Sequence, residues 1–331
     1  MHEYELAGDN YEMGRRNAVL LKRAGYPAQQ AVTEGQLRFA RECEEVVGAY
    51  APWLLEEIRG VEDEGLFDPG VVKVLPLTLY TDPGCSAVAV SGEHTRDGKP
   101  LFGRNYDFFA SFGKYSCLYR TRPEGKLAHI GCSDQWVGRH DGLNEAGLAI
   151  GHSGPPGREQ RPGFVITLAI RAVLDTCRTA EEAASFLERI PHLGNTAYLL
   201  ADAAGRIAAV DASPDEVRTT WFQDGFGFLA NRYASEEMAM YRPYEEVSRS
   251  CTRARNIRQW YEVRPSAGID TGYMQRVMSH PGEGVCACAG ETEDSQDPVV
   301  TLWSWTAALG DSAIQLAKGT PNETPYEPAA L

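Results

Sequence analysis

The chain has 331 residues, with 46 acidic and 32 basic side chains and a formal net charge of −14. Hydrophobic residues make up 43% and charged residues 24%, which is typical of a folded protein with a substantial core and excludes a disordered or fibrous chain. The negative charge repels phosphate backbones and anionic lipid headgroups, and no Lys/Arg-rich run offsets it. We therefore expect a small-molecule or protein partner, with no nucleic acid and no membrane.

The first residues lack the features of a secretion signal. They contain neither a basic segment nor an apolar one, and no apolar run approaches the roughly 20 residues of a membrane-spanning helix. We expect a cytoplasmic protein in which most cysteines are buried, inert thiols rather than a disulfide framework. The eight cysteines are Cys43, Cys85, Cys117, Cys132, Cys177, Cys251, Cys286 and Cys288.

The first eighty residues have helical periodicity, and the sequence pattern changes at Gly84 to one typical of strands. Helices are predicted over 12–22, over 28–50 and in a short segment after Pro52. Short β-rich segments punctuated by glycine then follow at 87–91, 101–103, 127–132 and 148–152. Asp97-Gly98 is typical of a tight hairpin turn between the first two of these strands.

The second half alternates between helices and strands. Thr179 followed by Glu182 indicates a capping box at the start of a helix. The predicted elements are two helices (164–177 and 179–190), an antiparallel meander (198–201, 206–211, 217–221 and 226–231), two helices (250–262 and 272–278), a closing hairpin (299–305 with 314–318) and a Pro-rich tail from residue 321. With no repeat and no linker, this order favours one α+β domain of two sheets covered by helices.

Several segments resemble one known family. Gly84-Cys85-Ser86 is followed by a β-rich run that carries Arg104 and Asp107. This pattern resembles the N-terminal-nucleophile (Ntn) hydrolases of the choloylglycine hydrolase and penicillin acyltransferase type, with the acyltransferase branch (peptidase C45) closest. The resemblance covers nearly the whole chain, and its other segments are 11–15, 138–148, 229–231 and 301–305.

The resemblance implies a four-layer αββα fold and synthesis as a precursor. The precursor cleaves its own Gly84-Cys85 bond and exposes Cys85 as a new N-terminal residue. Residues 1–84 then form a helical α chain and residues 85–331 a nucleophile-bearing β chain of a single Ntn-hydrolase domain.

The chemistry of such an N-terminal cysteine follows from its two functional groups. A thiol attacks an amide carbonyl best as the thiolate, and a free α-amino group has an ordinary pKa of about 7.7 to 8.0, so it accepts that proton near neutral pH. The resemblance gives Arg104 the role of contacting the nucleophile and Asp107 that of hydrogen-bonding its amine. From the local pattern alone, an ion pair at a strand end explains Arg104 and Asp107 equally well.

The resemblance gives Asn231 the role of a side-chain donor in the oxyanion hole, where an amide donates without titrating. A turn asparagine at a strand end is the alternative. Arg253 is the best local match to a further family arginine, although other basic residues crowd the same helix and a solvated basic face is equally consistent. His152 and Ser153 are candidates for the substrate pocket or for backbone donation.

We therefore expect a cysteine amidase that cleaves a linear, non-peptide carbon–nitrogen bond of a small-molecule amide through a thioester. An acyltransferase that passes the acyl group to an amine is the first alternative. A non-catalytic binding protein on the same scaffold is another, and a hydrolase in which His152 activates an uncleaved Cys85 is a third. We expect no cofactor and no metal, because Cys286, Cys288 and His280 lack a fourth ligand at zinc spacing. The sequence leaves a homo-oligomer open.

Overall fold

The computed structural model describes residues 1–28, 30–79, 84–134, 136–155, 157, 159–241, 249–282, 284–288 and 296–331. The helices are α1 (Asn10–Arg23), α2 (Glu34–Tyr50), α3 (Pro52–Asp63), α4 (Pro69–Thr78), α5 (Ile166–Thr176), α6 (Ala180–Arg189), α7 (Ser250–Glu262) and α8 (Thr271–Ser279). The strands are β1 (His2–Gly8), β2 (Cys85–Val90), β3 (Leu101–Phe109), β4 (Cys117–Pro123), β5 (His129–Ser133), β6 (Asp141–Asn144), β7 (Ala149–His152), β8 (Thr196–Ala201), β9 (Ile207–Ala212), β10 (Val217–Trp221), β11 (Phe226–Leu229), β12 (Val299–Ala308), β13 (Ala313–Ala317) and β14 (Glu327–Ala330).

The strands form two sheets that pack face to face. The larger has the order β1-β4-β5-β6-β7-β8-β9-β10, and the smaller has the order β11-β2-β3-β12-β13-β14. All neighbouring strands pair antiparallel except β1 with β4, which are parallel. One apolar layer lies between the sheets, a second under α1 to α6 and a third under α7 and α8. This confirms the expected four-layer α+β sandwich.

Local signals place most helix boundaries. Thr33 and Gln36 form a reciprocal capping box that starts α2 at Glu34, so the prediction of a helix from residue 28 was wrong at its beginning. Thr179 accepts from the Glu182 backbone N–H at the start of α6, as expected. The sequence patterns missed α4 and the strands β1, β4, β6 and β14.

The predicted four-strand meander is wrong in its last strand. β8, β9 and β10 are consecutive neighbours, whereas β11 pairs with β2 in the other sheet. A hydrogen bond from Ser91 N–H to the Gly225 carbonyl joins the residue after β2 to the residue before β11 in that sheet. Alternating apolar residues predict a strand but not its partner, and the crossing brings the end of β11 beside the start of β2.

Buried charges join the first helical segment to the rest of the chain. Arg171 on α5 donates from Nη2 to Glu57 Oε2 (2.9 Å) and from Nε to Asp175 Oδ1 (2.9 Å), and all three side chains are inaccessible to solvent. Burial raises the pKa of Asp175, but Arg171 and His129 outweigh it and hold that pKa at about 2. Glu57 lies on α3, so this ion pair connects the first helical segment to α5. Removing either partner would leave the buried charge of the other uncompensated.

Glycines allow α1 and α3 to pack in backbone contact. A Cβ at Gly14 would overlap the Glu57 carbonyl group. We expect Gly14→Ala to lower the free energy of unfolding by about 1–3 kcal/mol, since the backbones must separate. Gly35→Ala is the matched control, because that helical position is exposed and meets only Thr33 Oγ1 at 3.9 Å. Urea unfolding checks both variants, and equal stabilities would contradict the packing argument.

Candidate functional site

Cys85 is the first residue of β2 and lies opposite Tyr106 of β3. Its thiol is buried between the sheets, and Arg104 Nη2 donates to its Sγ at 3.1 Å. Arg104 pairs with Ala87, so the contact is diagonal across the two strands. Residues 91–100 connect β2 to β3 and include Gly98 at φ +76°. Because this connection is longer than a tight turn, the pairing of β2 with β3 cannot be obtained by counting residues from Asp97-Gly98.

Opposing effects act on the Cys85 thiol. Burial raises its pKa, the charge of Arg104 lowers it, and the carboxylate of Asp107 raises it. Hydrogen bonds from Arg104 and from the Asp107 backbone lower it further, but the net pKa stays above the ordinary value for cysteine. In the continuous chain the thiol therefore needs a base before it attacks a carbonyl.

The backbone of Cys85 is held at both its nitrogen and its oxygen. Its N–H donates to Asn231 Oδ1 at 2.8 Å, and its carbonyl accepts from Ser153 Oγ at 2.9 Å and from Arg253 Nη1. The preceding carbonyl, that of Gly84, accepts from Asp107 N–H at 3.0 Å. Four of the residues singled out by the sequence thus bond the Gly84 carbonyl or the backbone of Cys85, namely Asp107, Ser153, Asn231 and Arg253.

Asn231 adopts a left-handed conformation, with φ of +54°, immediately after β11 leaves the sheet. Its Oδ1 accepts from Cys85 N–H and from Arg253 Nη2 (2.6 Å), which orients the carboxamide. Its Nδ2 donates to the Gly154 carbonyl at 2.8 Å, and its own N–H donates to Ser153 Oγ at 2.6 Å. The amide therefore lies beside Cys85, with its oxygen toward Cys85 N.

Arg253 is the member of the basic helix α7 that reaches the site. Besides Cys85 and Asn231, it contacts Ser86 Oγ at 2.8 Å and is buried. Burial lowers its pKa. Arg249 instead donates to the Gly282 carbonyl, and Arg258 packs over the ring of Phe228.

Asp107 is fixed by a strand neighbour. It lies opposite Thr301 of β12, and the Thr301 hydroxyl donates to its Oδ1 at 2.6 Å. Thr301 N–H and hydroxyl also bond Ala287, so the segment after α8 connects to this carboxylate.

His152 belongs to a chain of polar side chains beside Cys85. Tyr106 donates to Asp134, Asp134 bonds His140 Nε2 at 2.7 Å, and His140 Nδ1 lies 3.1 Å from His152 Nε2. Burial lowers the pKa of His152 well below its ordinary value, and the charges of Arg104 and His140 act in the same direction. Among the described residues, the other nitrogen of His152 has no hydrogen-bond partner, so neither ring nitrogen bonds Cys85.

Sequence reasoning gave no role to Asp141. This fully buried carboxylate accepts from Arg104 Nε (3.3 Å), Trp303 Nε1 (2.9 Å), Trp305 Nε1 (2.8 Å) and the Cys132 N–H (3.3 Å). Asp141 therefore orients the guanidinium that contacts Cys85 Sγ. Two tryptophans at i and i+2 on one strand face are a sequence signal that predicts a shared buried acceptor.

Asp211 is a further buried carboxylate, and it faces the layer between the sheets. Its Oδ2 accepts from Ser235 N–H at 2.7 Å, while its Oδ1 has no hydrogen-bond partner among the described residues. Burial raises its pKa to about 7, although backbone N–H groups of Ser235 and Ala234 oppose the shift. The native state therefore disfavours the charged form.

We expect Asp211→Asn to stabilise the protein at pH 8. The folded pKa lies above the ordinary 3.8, so wild-type stability falls as pH rises from about 4 through 7. Asparagine keeps an acceptor for Ser235 without burying a charge, a gain of up to about 4 kcal/mol. Urea unfolding at pH 4 and pH 8 checks this, since the gain should vanish at pH 4. A pH-independent difference would contradict the assignment.

All eight cysteines lie in the described part of the chain, and none of them forms a disulfide. The described residues contain no group of three or more His, Cys, Asp or Glu side chains suited to a metal ion. None of the described helices combines the length and the apolar character that crossing a bilayer requires.

Known structures of a bile acid hydrolase share this fold. Two variants of the conjugated bile acid hydrolase from Clostridium perfringens match at TM-scores of 0.53 and 0.51, with 16% and 14% sequence identity. The matches cover 74% and 75% of this chain and 92% of each hydrolase chain. A penicillin V acylase from Agrobacterium tumefaciens matches at TM-score 0.48 and 17% identity, over 75% of this chain and 86% of its own. No curated protein matches the chain significantly.

Residues 94–322 match the family described as acyl-coenzyme A:6-aminopenicillanic acid acyl-transferase. The matched range contains Arg104, Asp107, Asn231 and Arg253, and it begins after Cys85. It spans more than half of the 331 residues. Together with the αββα sandwich of the bile acid hydrolase, this match shows that the chain belongs to the acyl-coenzyme A:6-aminopenicillanic acid acyl-transferase family of Ntn-type proteins.

Proposed function

We propose that this protein is an autoprocessing cysteine amidase that cleaves a linear, non-peptide amide of a small molecule. The observation that carries the proposal is the set of contacts around Cys85. Arg104 contacts its thiol, Asn231 and Arg253 bond its backbone, and the Asp107 N–H donates to the adjoining Gly84 carbonyl. A guanidinium on the sulfur and donors on adjacent carbonyls suit a nucleophile that attacks an acyl group.

Processing begins when Cys85 Sγ attacks the Gly84 carbonyl carbon. The Gly84-Cys85 carbon–nitrogen bond breaks, the acyl group passes to sulfur, and the nitrogen takes up a proton. Water then hydrolyses the thioester, which leaves the Gly84 carboxylate and the free Cys85 amine. The Asp107 N–H already donates to the Gly84 oxygen and is suited to stabilise the developing oxyanion.

The same thiol then acts on the substrate. The freed α-amine accepts the thiol proton, and the thiolate attacks the substrate carbonyl, expels the amine and forms a thioester. Water completes hydrolysis. The Cys85 nitrogen, which becomes this amine, donates to Asn231 Oδ1. The acyl-transferase description of the family supports a second candidate in which an amine replaces water in this last step.

Measuring the intact mass of the purified, denatured protein tests the proposal. We expect two species that correspond to residues 1–84 and 85–331, because the Gly84-Cys85 bond already lies among Arg104, Asp107, Asn231 and Arg253. Incubating the processed protein with an amide, with and without added amine, then separates hydrolysis from acyl transfer by the product formed.

A single full-length mass that persists in folded protein would contradict processing, and thiol labelling of Cys85 would then test the alternative in which His152 activates it. A processed protein that turns over no amide from a broad panel would favour the non-catalytic binding protein.

A further inference from the structure

Cys286 and Cys288 lie in the segment that follows α8, and neither has a role in the amidase site. Their Sγ atoms are 2.9 Å apart, and both side chains are buried, with 2% and 7% of the residue exposed. A disulfide bond is about 2.05 Å long, so the two sulfurs lie within roughly 1 Å of bonding distance. Only one residue, Ala287, separates them.

We propose that Cys286 and Cys288 are a reversible thiol–disulfide modification site of this protein. The oxidant is a small disulfide of the oxidised glutathione class. One protein thiolate attacks this disulfide and expels a thiolate. The second protein thiolate then attacks the mixed disulfide and expels the other half. Overall, one protein sulfur–sulfur bond forms, the two protein thiols lose their protons and two electrons, and one small disulfide becomes two small thiols.

The surroundings make this exchange slow at neutral pH. Burial raises the pKa of Cys286, and the neighbouring Cys288 and the charge of Asp107 raise it further. Exchange proceeds through the thiolate, so its rate should increase as the pH rises. The pair is therefore suited to respond to a sustained change in redox conditions rather than to a brief one.

Hydrogen bonds connect this pair to the nucleophile. Ala287 N–H donates to Thr301 Oγ1 at 3.0 Å, Thr301 N–H donates to the Ala287 carbonyl at 2.8 Å, and the Thr301 hydroxyl donates to Asp107 Oδ1. Closing a ring through residues 286–288 rotates the two peptide groups that flank Ala287. The resulting shift reaches Asp107, whose N–H holds the Gly84 oxygen. This coupling, unlike the disulfide itself, rests on the proposed function.

The disulfide is tested by mass spectrometry on the whole protein. Samples are equilibrated for long times in mixtures of reduced and oxidised glutathione, trapped with N-ethylmaleimide and digested with trypsin. Trypsin releases residues 277–318, which contain both cysteines of the pair and no others. We expect this fragment to become two hydrogen masses lighter and unlabelled under oxidising conditions, and to recover both labels on reduction. Two labels at the most oxidising mixture, or glutathione adducts in place of the internal bond, would overturn the assignment.

The coupling is tested by the rate at which iodoacetamide alkylates Cys85 before and after oxidation. We expect several-fold slower alkylation in the oxidised wild type and no change in a variant with Cys286→Ser and Cys288→Ser. Cys177→Ser is the matched control for loss of a buried thiol and should keep the wild-type response. An unchanged rate of Cys85 alkylation in a protein that carries the disulfide would overturn the coupling to Cys85 but not the Cys286–Cys288 modification site. Processing is measured separately by intact mass, so failure of the proposed function is distinguishable from either result.

Discussion

Cys85→Ala is expected to yield a single uncleaved chain that has no amidase activity. The substitution removes the sulfur atom that, in the proposed mechanism, attacks both the Gly84 carbonyl and the substrate carbonyl. The fold should survive, because Arg104 keeps Asp141 and two backbone carbonyls as acceptors when Sγ is lost. The cost in the free energy of unfolding should be about 1 kcal/mol. Intact mass, amide hydrolysis and thermal unfolding check these three statements.

Cys132→Ala provides the matched control. Cys132 is also a buried cysteine in the layer between the sheets, but among the described residues its thiol forms no hydrogen bond with Arg104, which donates to Cys85 Sγ instead. This variant should be cleaved and should turn over substrate as the wild type does. Processing or turnover by Cys85→Ala would overturn the assignment of the nucleophile. Loss of both in Cys132→Ala would show that packing in this layer, rather than the Cys85 thiol, limits the reaction.

The types of the site residues were predictable from the sequence, but their mutual geometry was not. A resemblance placed Arg104 near Cys85, whereas residue counts around Asp97-Gly98 did not, because the connection between β2 and β3 is ten residues long and irregular. Arg253 could not be separated from its basic neighbours, since helical phase alone does not tell which side chain meets the sheet. The orientation of the Asn231 amide depends on donors from Cys85 and Arg253, which are distant in sequence.

The same limit applies to the fold. Caps such as Thr179 are local, so they were predictable. The crossing of β11 to the second sheet and the parallel pairing of β1 with β4 depend on partners far along the chain. Asp141 was missed for a related reason: its four donors come from three other strands.

Asp141→Ala is expected to cost about 3–5 kcal/mol in the free energy of unfolding. It leaves the guanidinium of Arg104 without its buried carboxylate and leaves the indole N–H groups of Trp303 and Trp305 without an acceptor. Asp141→Asn keeps one acceptor oxygen but loses the charge and turns an amide toward donors, so we expect a smaller loss of stability. Urea unfolding of both variants measures the difference.

The Asn variant also separates positioning of Arg104 from stability alone. Arg104 lowers the pKa of Cys85 by its charge and by its hydrogen bond, so a guanidinium that is no longer held by Asp141 should let that pKa rise. The pH profile of Cys85 alkylation should therefore move to higher pH in folded Asp141→Asn. Trp305→Phe is the control, because it removes one donor and leaves the Asp141–Arg104 ion pair in place. If Asp141→Asn is less stable but its Cys85 alkylation profile matches the wild type, the positioning role is contradicted. Asp141 would then only hold the two sheets together.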